Sequence, residues 1–199
     1  GPRLFLWTSA GQPVETEDPI DTAVKLIREG NILAVKGLGG FHLVCDAENA
    51  EAVARLRARK RRDEKPLAVM MANGASARRY VTLSDEEEKV LTSIARPIVL
   101  AKKTLACDEK LAGIAPGLSE LGVMLPYTPV HLLLFHEAAG RPDGVEWLKK
   151  DLVPMTLVMT SANPGGEPLV IGNREALRRL GSIADFILAN DREILIRCV

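Results

Sequence analysis

Short apolar runs alternate along the chain with stretches in which apolar residues recur every three or four positions. Asp18-Pro19 predicts an N-cap and first helical position; Ala23, Leu26 and Ile27 then form one stripe, and Gly30 closes the helix. Residues 32–35 and 41–45 predict two buried strands, split by Gly37-Leu38-Gly39-Gly40. Residues 50–59 predict a helix with Val53 and Leu56 facing inward, and 67–71 a further buried strand. Ser84 with Glu87 three positions later is a capping-box pattern and predicts a helix running to Ile94. Strands are predicted over 98–101, 121–125 and 157–159, and a helix beginning at Pro129 carries Leu132, Leu133 and Phe135. Asn173 is predicted to cap a helix through Leu180, with short strands over 186–188 and 194–196 closing the pattern.

Alternation of short apolar strands with amphipathic helices predicts a single α/β domain around a mostly buried sheet. Several strands are joined too closely for helical crossovers, so antiparallel members are expected as well. The 199 residues are enough to bury a core without disulfides or metal. Aromatics make up only 4% of a chain that is 47% hydrophobic, so aliphatic residues must fill that core. A formal net charge of zero disfavours a protein whose main task is gripping duplex nucleic acid. Cys45, Cys107 and Cys198 form no CxxC pair, which excludes zinc-ligand spacing and points to a reducing cytoplasm. No apolar run is long enough to span a membrane. Residues 140–144 read as a surface loop.

Four segments carry candidate chemistry. Residues 55–65 hold seven basic side chains in eleven positions, either a solvated helix end or an anion site. The helix is predicted to stop near Lys60, because Pro66 imposes extended backbone on what precedes it. In extended chain Lys60 and Arg62 would share one side, a cationic pair suited to polyphosphate, with Lys65 as a third. Thr160-Ser161-Ala162-Asn163-Pro164-Gly165-Gly166 reads either as a turn or as a strand end delivering Ser161 and Asn163 to one side. Lys36-Gly37-Leu38-Gly39-Gly40-Phe41-His42 is a glycine-rich loop that fits neither the Walker A nor the GxGxxG pattern. Met124-Leu125-Pro126-Tyr127-Thr128-Pro129-Val130-His131 sets hydroxyls and an imidazole at a loop-to-helix transition, again either a bounded turn or an anion-facing terminus. His131 and His136 are five apart and are poor joint metal ligands.

In this order the segments resemble the YrdC family, whose pattern is Lys-x-Arg early and Ser-x-Asn late, here Lys60-Arg61-Arg62, which continues into Lys65-Pro66-Leu67 in the place of the family's Lys-Pro-Leu strand, and Ser161-Ala162-Asn163. Residues 36–43, 114–117, 121–129 and Ile196-Arg197-Cys198 are similar to the YrdC-like region of HypF-type carbamoyltransferases of [NiFe]-hydrogenase maturation. The resemblance implies a YrdC-like twisted mixed sheet flanked by helices, with a concave basic pocket. It implies that residues 1–10 follow a zinc-binding module and that 11–199 form the nucleotide-binding domain of a longer cytoplasmic polypeptide with acylphosphatase, zinc-finger and Kae1-like domains. The implied reaction is adenylation by ATP, with Mg2+, of carbamate derived from carbamoyl phosphate; the carbamoyl group then passes to HypE. Lys60 and Arg62 would carry the catalysis. Lys36, Gly39, Gly40, His42, Lys65, Thr128, His131, Thr160, Ser161, Asn163 and Arg197 would bind substrate or ATP. The alternatives are a threonylcarbamoyl-AMP synthase for tRNA modification, an RNA-binding module, or a structural linker domain. Threonylcarbamoyl-AMP synthases carry an arginine in the segment aligned with Met124-Leu125-Pro126; its absence here favours the HypF branch.

Overall fold

A computed structural model describes residues 1–61, 65–149, 151–163 and 167–198. Nine strands form one open mixed sheet: β1 (Leu4–Thr8), β2 (Leu33–Lys36), β3 (Phe41–Asp46), β4 (Ala68–Met71), β5 (Val81–Thr82), β6 (Val99–Lys103), β7 (Glu120–Met124), β8 (Thr156–Ser161) and β9 (Phe186–Asn190). Their spatial order is β1-β9-β2-β3-β8-β4-β7-β6-β5. Only β2/β9 and β4/β7 run parallel; every other neighbouring pair is antiparallel. Among the described residues, the helices are α1 (Pro19–Arg28), α2 (Ala50–Lys60), α3 (Gly74–Ala77), α4 (Asp85–Leu91), α5 (Leu105–Lys110), α6 (Pro129–Ala138) and α7 (Asn173–Leu180), with a 3₁₀ turn over Glu146–Leu148.

Side chains two apart on a strand share a face, and the two faces bury separate cores. Ala34, Phe41, Leu43, Val69, Val123, Val158 and Ile187 face one layer with Leu56 of α2 and Leu180 of α7. Leu33, Val35, Val44, Met70, Leu157 and Leu188 face the other, with Val24 and Ile27 of α1 and Leu134 and Phe135 of α6. This two-layer cover is why the central strands read as continuous apolar runs.

The expected caps are present at α1 and α4. Asp18 accepts from the amides of Ile20 (2.9 Å) and Asp21 (3.2 Å). Ser84 and Glu87 form the reciprocal box, and α4 then stops at Leu91 rather than Ile94. Thr92 Oγ1 turns back onto the Glu88 carbonyl (2.7 Å), and Ile94 is fully exposed with no surface to pack on. The N-cap of α7 is Gly172, not Asn173; Glu175 reaches back to the Gly172 amide (3.4 Å), which frees the Asn173 side chain for Lys36. Residues 194–196 form no strand. Both sides of β9, the strand just before them, are already paired, with β1 and β2, and Leu195 and Ile196 lie exposed. Pattern reading misses two strands: β5, two residues long and paired with β6, and β1, which lies within residues 1–10 and pairs along its full length with β9. No helix among the described residues is long and apolar enough to cross a membrane.

Candidate functional site

A register effect opens the sheet at its centre. In the β4/β8 ladder Ala68 pairs with Met159, so continued pairing would set Pro66 opposite Ser161. Proline has no N–H to donate, and the Leu67 amide turns to the Ile114 carbonyl instead (2.9 Å), so the ladder ends there. Beyond Met159, β8 continues paired only with β3, and His42 lies directly opposite Ser161. Next to it Ala162 N–H donates to Phe41 O (3.0 Å), with Phe41 N–H turned to Val170 O (3.0 Å), which makes His42 and Ser161 the close, non-hydrogen-bonded kind of pair. A cleft of about 730 Å3 occupies the opening, on the part of this face that α1 and α6 leave uncovered. His42, Pro66, Met159, Thr160 and Ser161 line its centre. Arg96, Ile98, Gly122, Met124 and Tyr127 extend it, and Cys198 closes one side.

From the last turn of α2, Lys60 reaches Thr160 and Ser161, two residues that line the cleft. Its ammonium donates to the Ser161 carbonyl, to Thr160 Oγ1 (3.2 Å) and more weakly to Ser161 Oγ (3.4 Å). Ser161 Oγ in turn donates to Asn163 Oδ1 (2.7 Å), whose amide donates to the Glu167 carbonyl (2.8 Å). Lys60, Thr160, Ser161 and Asn163, a hundred residues apart in the chain, thus form one polar network. The route differs from that predicted. Lys60 is helical and Arg61 is left-handed (φ 52°), so the two-residue periodicity of extended chain does not govern where Lys60 points. Arg62 lies outside the described residues. Lys65 is exposed, and its carbonyl accepts from Arg57 Nη1 (2.9 Å).

His42 and His131 are almost wholly buried and form a ring cluster with Tyr127. Tyr127 meets His131 edge-on at 4.9 Å between centroids, and His131 lies 5.7 Å from His42. The Tyr127 hydroxyl is 3.1 Å from His42 Nε2. Burial, with a smaller push from Lys60, lowers the His42 pKa to about 4. Burial, with His42 beside it, lowers His131 to about 3. Burial also lifts the Tyr127 phenol to about 12. At neutral pH this end of the cleft is therefore uncharged.

Other predicted site residues lie elsewhere. The Lys36 side chain is buried and points to the opposite layer, where its ammonium donates to Asn173 Oδ1 (2.8 Å), Asn190 O (3.1 Å) and Arg192 O (2.6 Å). Lys36 is not among the residues that line this cleft. The glycine loop closes on itself through Gly37 N–H to Gly40 O (2.9 Å). Gly39 O accepts from the Cys198 amide (3.0 Å), and a Cβ at Gly39 would overlap the Cys198 carbonyl. Close packing of backbone on backbone requires glycine at position 39. Thr128 is buried and caps α6 by accepting the His131 amide (3.3 Å). Arg197 is exposed in the C-terminal segment. Tyr127, one of the hydroxyls of the 124–131 segment, was not among the residues named for binding, and Arg96 escaped the sequence reading altogether. Arg96 carries no periodic signal, yet it lines the cleft with a left-handed backbone (φ 46°) that is unusual for a residue with a side chain. Among the described residues no cluster of His, Cys, Asp and Glu could hold a metal ion.

A family model, Sua5_yciO_yrdC, described as telomere recombination, matches residues 25–198. Carbamoyltransferase HypF2 of Cupriavidus necator is 59% identical over 195 residues, which are 98% of this chain and 24% of the relative. Carbamoyltransferase HypF of Rhodobacter capsulatus is 47% identical over 194 residues, 98% of this chain and 23% of the relative. The chain therefore spans about a quarter of the length of the curated relatives it matches. A crystal structure of full-length HypF in a phosphate- and nucleotide-bound form superposes with a TM-score of 0.84 at 43% identity, covering 99% of this chain and 23% of that one.

Proposed function

Because this chain belongs to the Sua5/YciO/YrdC family and aligns over almost its whole length with HypF carbamoyltransferases, we propose that it is the carbamate-adenylating domain of such an enzyme. The observation that carries this reading is the Lys60–Ser161–Asn163 network, joined to the cleft through Ser161, which lines it. The phosphate- and nucleotide-bound form of a HypF relative supports ATP as the ligand.

Adenylation needs no protein nucleophile. A carbamate oxygen forms a bond to the α-phosphorus of ATP, the bond from that phosphorus to the bridging oxygen breaks, and pyrophosphate leaves with the electron pair. Catalysis is then positioning and charge stabilisation. Lys60 and Arg96 supply cations for the phosphates, and Arg62, Lys65 and Arg197 are further candidates. Ser161, Asn163 and Thr160 supply hydrogen bonds. Mg2+ would be held through the substrate's phosphates. The wider scheme adds an acylphosphatase module that releases carbamate, a zinc-binding module that residues 1–10 follow and a Kae1-like domain, all in the same polypeptide, with HypE as a separate carbamoyl acceptor.

The test is titration with ATP and Mg2+ followed by pyrophosphate release on addition of carbamoyl phosphate or ammonium bicarbonate. Release dependent on carbamate, with nucleotide binding lost in Lys60→Ala and Arg62→Ala, is the expected result. Release that depends on threonine would select a threonylcarbamoyl-AMP synthase instead. Steeply salt-dependent RNA binding without turnover would select an RNA-binding module.

A further inference from the structure

The inner end of the cleft differs in chemistry from its mouth. His131 Nδ1 and Nε2 and His42 Nδ1 are buried with no hydrogen-bond partner among the described residues. A buried polar atom left without a partner costs about 1–3 kcal/mol, so such atoms are rare and cluster at functional sites. Three of them surround a single tyrosine that lines the cleft and is only half-buried. The phenol ring is held edge-on by His131, and its hydroxyl is aimed by the contact to His42 Nε2 (3.1 Å). His42 is the direct cross-strand partner of Ser161. Side chains so paired lie about 5 Å apart, so the hydroxyl stands within a short molecule's reach of the Lys60–Ser161 network.

We propose that Tyr127 determines the acid this site adenylates: its hydroxyl donates to His42 Nε2 and its oxygen lone pairs accept an N–H from the amino group of carbamate, while His42 and His131 position it. This inference rests on the adenylation reading and names the substrate group that reading leaves unassigned. The phenol stays protonated throughout the working pH range, and both imidazoles stay neutral. The inner end therefore offers hydrogen bonding without charge, as a neutral NH2 requires. A site built around one hydrogen bond rejects an isostere that lacks it far better than an apolar pocket rejects an extra group. Acetate, with CH3 in place of NH2, is that isostere.

Tyr127→Phe removes the oxygen and keeps the ring. With ATP and either ammonium carbamate or acetate as acid, pyrophosphate release should show the KM for carbamate raised about tenfold and the preference for carbamate over acetate reduced to near unity. ATP affinity should stay within twofold. Unchanged KM and unchanged preference, with Lys60→Ala still abolishing ATP binding, would overturn the role of Tyr127 and leave the adenylation reading standing. Absence of carbamate-dependent release in the unaltered protein would sink that reading and this inference together. Binding alone gives a second measurement that needs no variant. The chain has two tyrosines, Tyr80 and Tyr127, so fluorotyrosine NMR resolves them. On adding ammonium carbamate to protein loaded with a non-hydrolysable ATP analogue, the Tyr127 resonance should move and that of Tyr80, fully buried elsewhere, should not. A Tyr127 resonance that stays still at saturating carbamate also overturns the proposal.

Discussion

His42 and Ser161 face each other across the β3/β8 ladder at the point where β4 has dropped out of register, one backed by Tyr127 and the other by Lys60. The pair joins the uncharged end of the cleft to its cationic end, and the burial that keeps His42 neutral is reinforced by the ammonium across from it.

Lys60 is only 9% exposed, and its ammonium satisfies the carbonyl of Ser161 that the proline-broken ladder leaves open. Lys60→Ala should lower ATP affinity by ~10²-fold, the scale of losing one donor to phosphate charge. It should also destabilise the fold by about 1–3 kcal/mol through the orphaned carbonyl. Lys60→Arg should recover part of the stability but little of the affinity, because a planar fork does not replace a point charge at this spot. Isothermal titration and urea unfolding on the same preparations separate the two effects.

Arg96 holds a left-handed backbone beside the cleft, a conformation that costs about 1–2 kcal/mol for a residue with a side chain. Arg96→Gly should therefore raise the unfolding midpoint slightly while weakening ATP binding about tenfold. A variant that is more stable and binds ATP as before would show that the guanidinium does not serve the nucleotide.

Lys36 offers the converse test. Replacing it with Met takes the Lys36 donor from Asn173 Oδ1 and Arg192 O, while Asn190 O keeps the Asn173 amide (3.0 Å). A loss of about 2–4 kcal/mol of stability is expected, with ATP affinity within twofold of the parent. A large drop in affinity at unchanged stability would return Lys36 to the nucleotide site.

Acid should destabilise this protein through His42 and His131. Their folded pKa values, about 4 and about 3, lie below the unfolded value near 6.5, so the unfolded chain binds more protons as pH falls. The stability that neutral burial represents is complete above pH 6.5 and is lost as pH drops from there towards the folded values. The slope is about 1.4 kcal/mol per pH unit for each histidine. Urea midpoints at pH 7, 6 and 5 should fall accordingly, and His131→Phe should flatten the decline by roughly half.

Gly39→Ala should displace the C-terminal segment, since the new methyl would meet the Cys198 carbonyl. About 1–3 kcal/mol of destabilisation follows if the backbone must shift. Alkylation of Cys198, the exposed cysteine beside the cleft, should become faster.

Period and punctuation were legible without coordinates because they are local. Asp18-Pro19 and Ser84 with Glu87 cap their helices through hydrogen bonds spanning two to three residues, and the apolar runs became strands buried on both faces. Of the Lys-x-Arg and Ser-x-Asn segments, Lys60 and Ser161 do meet, and Ser161 lines the cleft. Their meeting was decided by tertiary structure. It needs the β4 register that places Pro66 against Ser161 and the α2 helix that carries Lys60 to the opening. Lys36 shows the reverse outcome: a basic residue beside a glycine loop was claimed by acceptors from α7 and from the backbone at Asn190 and Arg192, more than a hundred residues away. Side-chain type and spacing act over a few residues and are written in the chain. Which partner a buried charge finds depends on strand register and layer, and those arise only when distant segments pack.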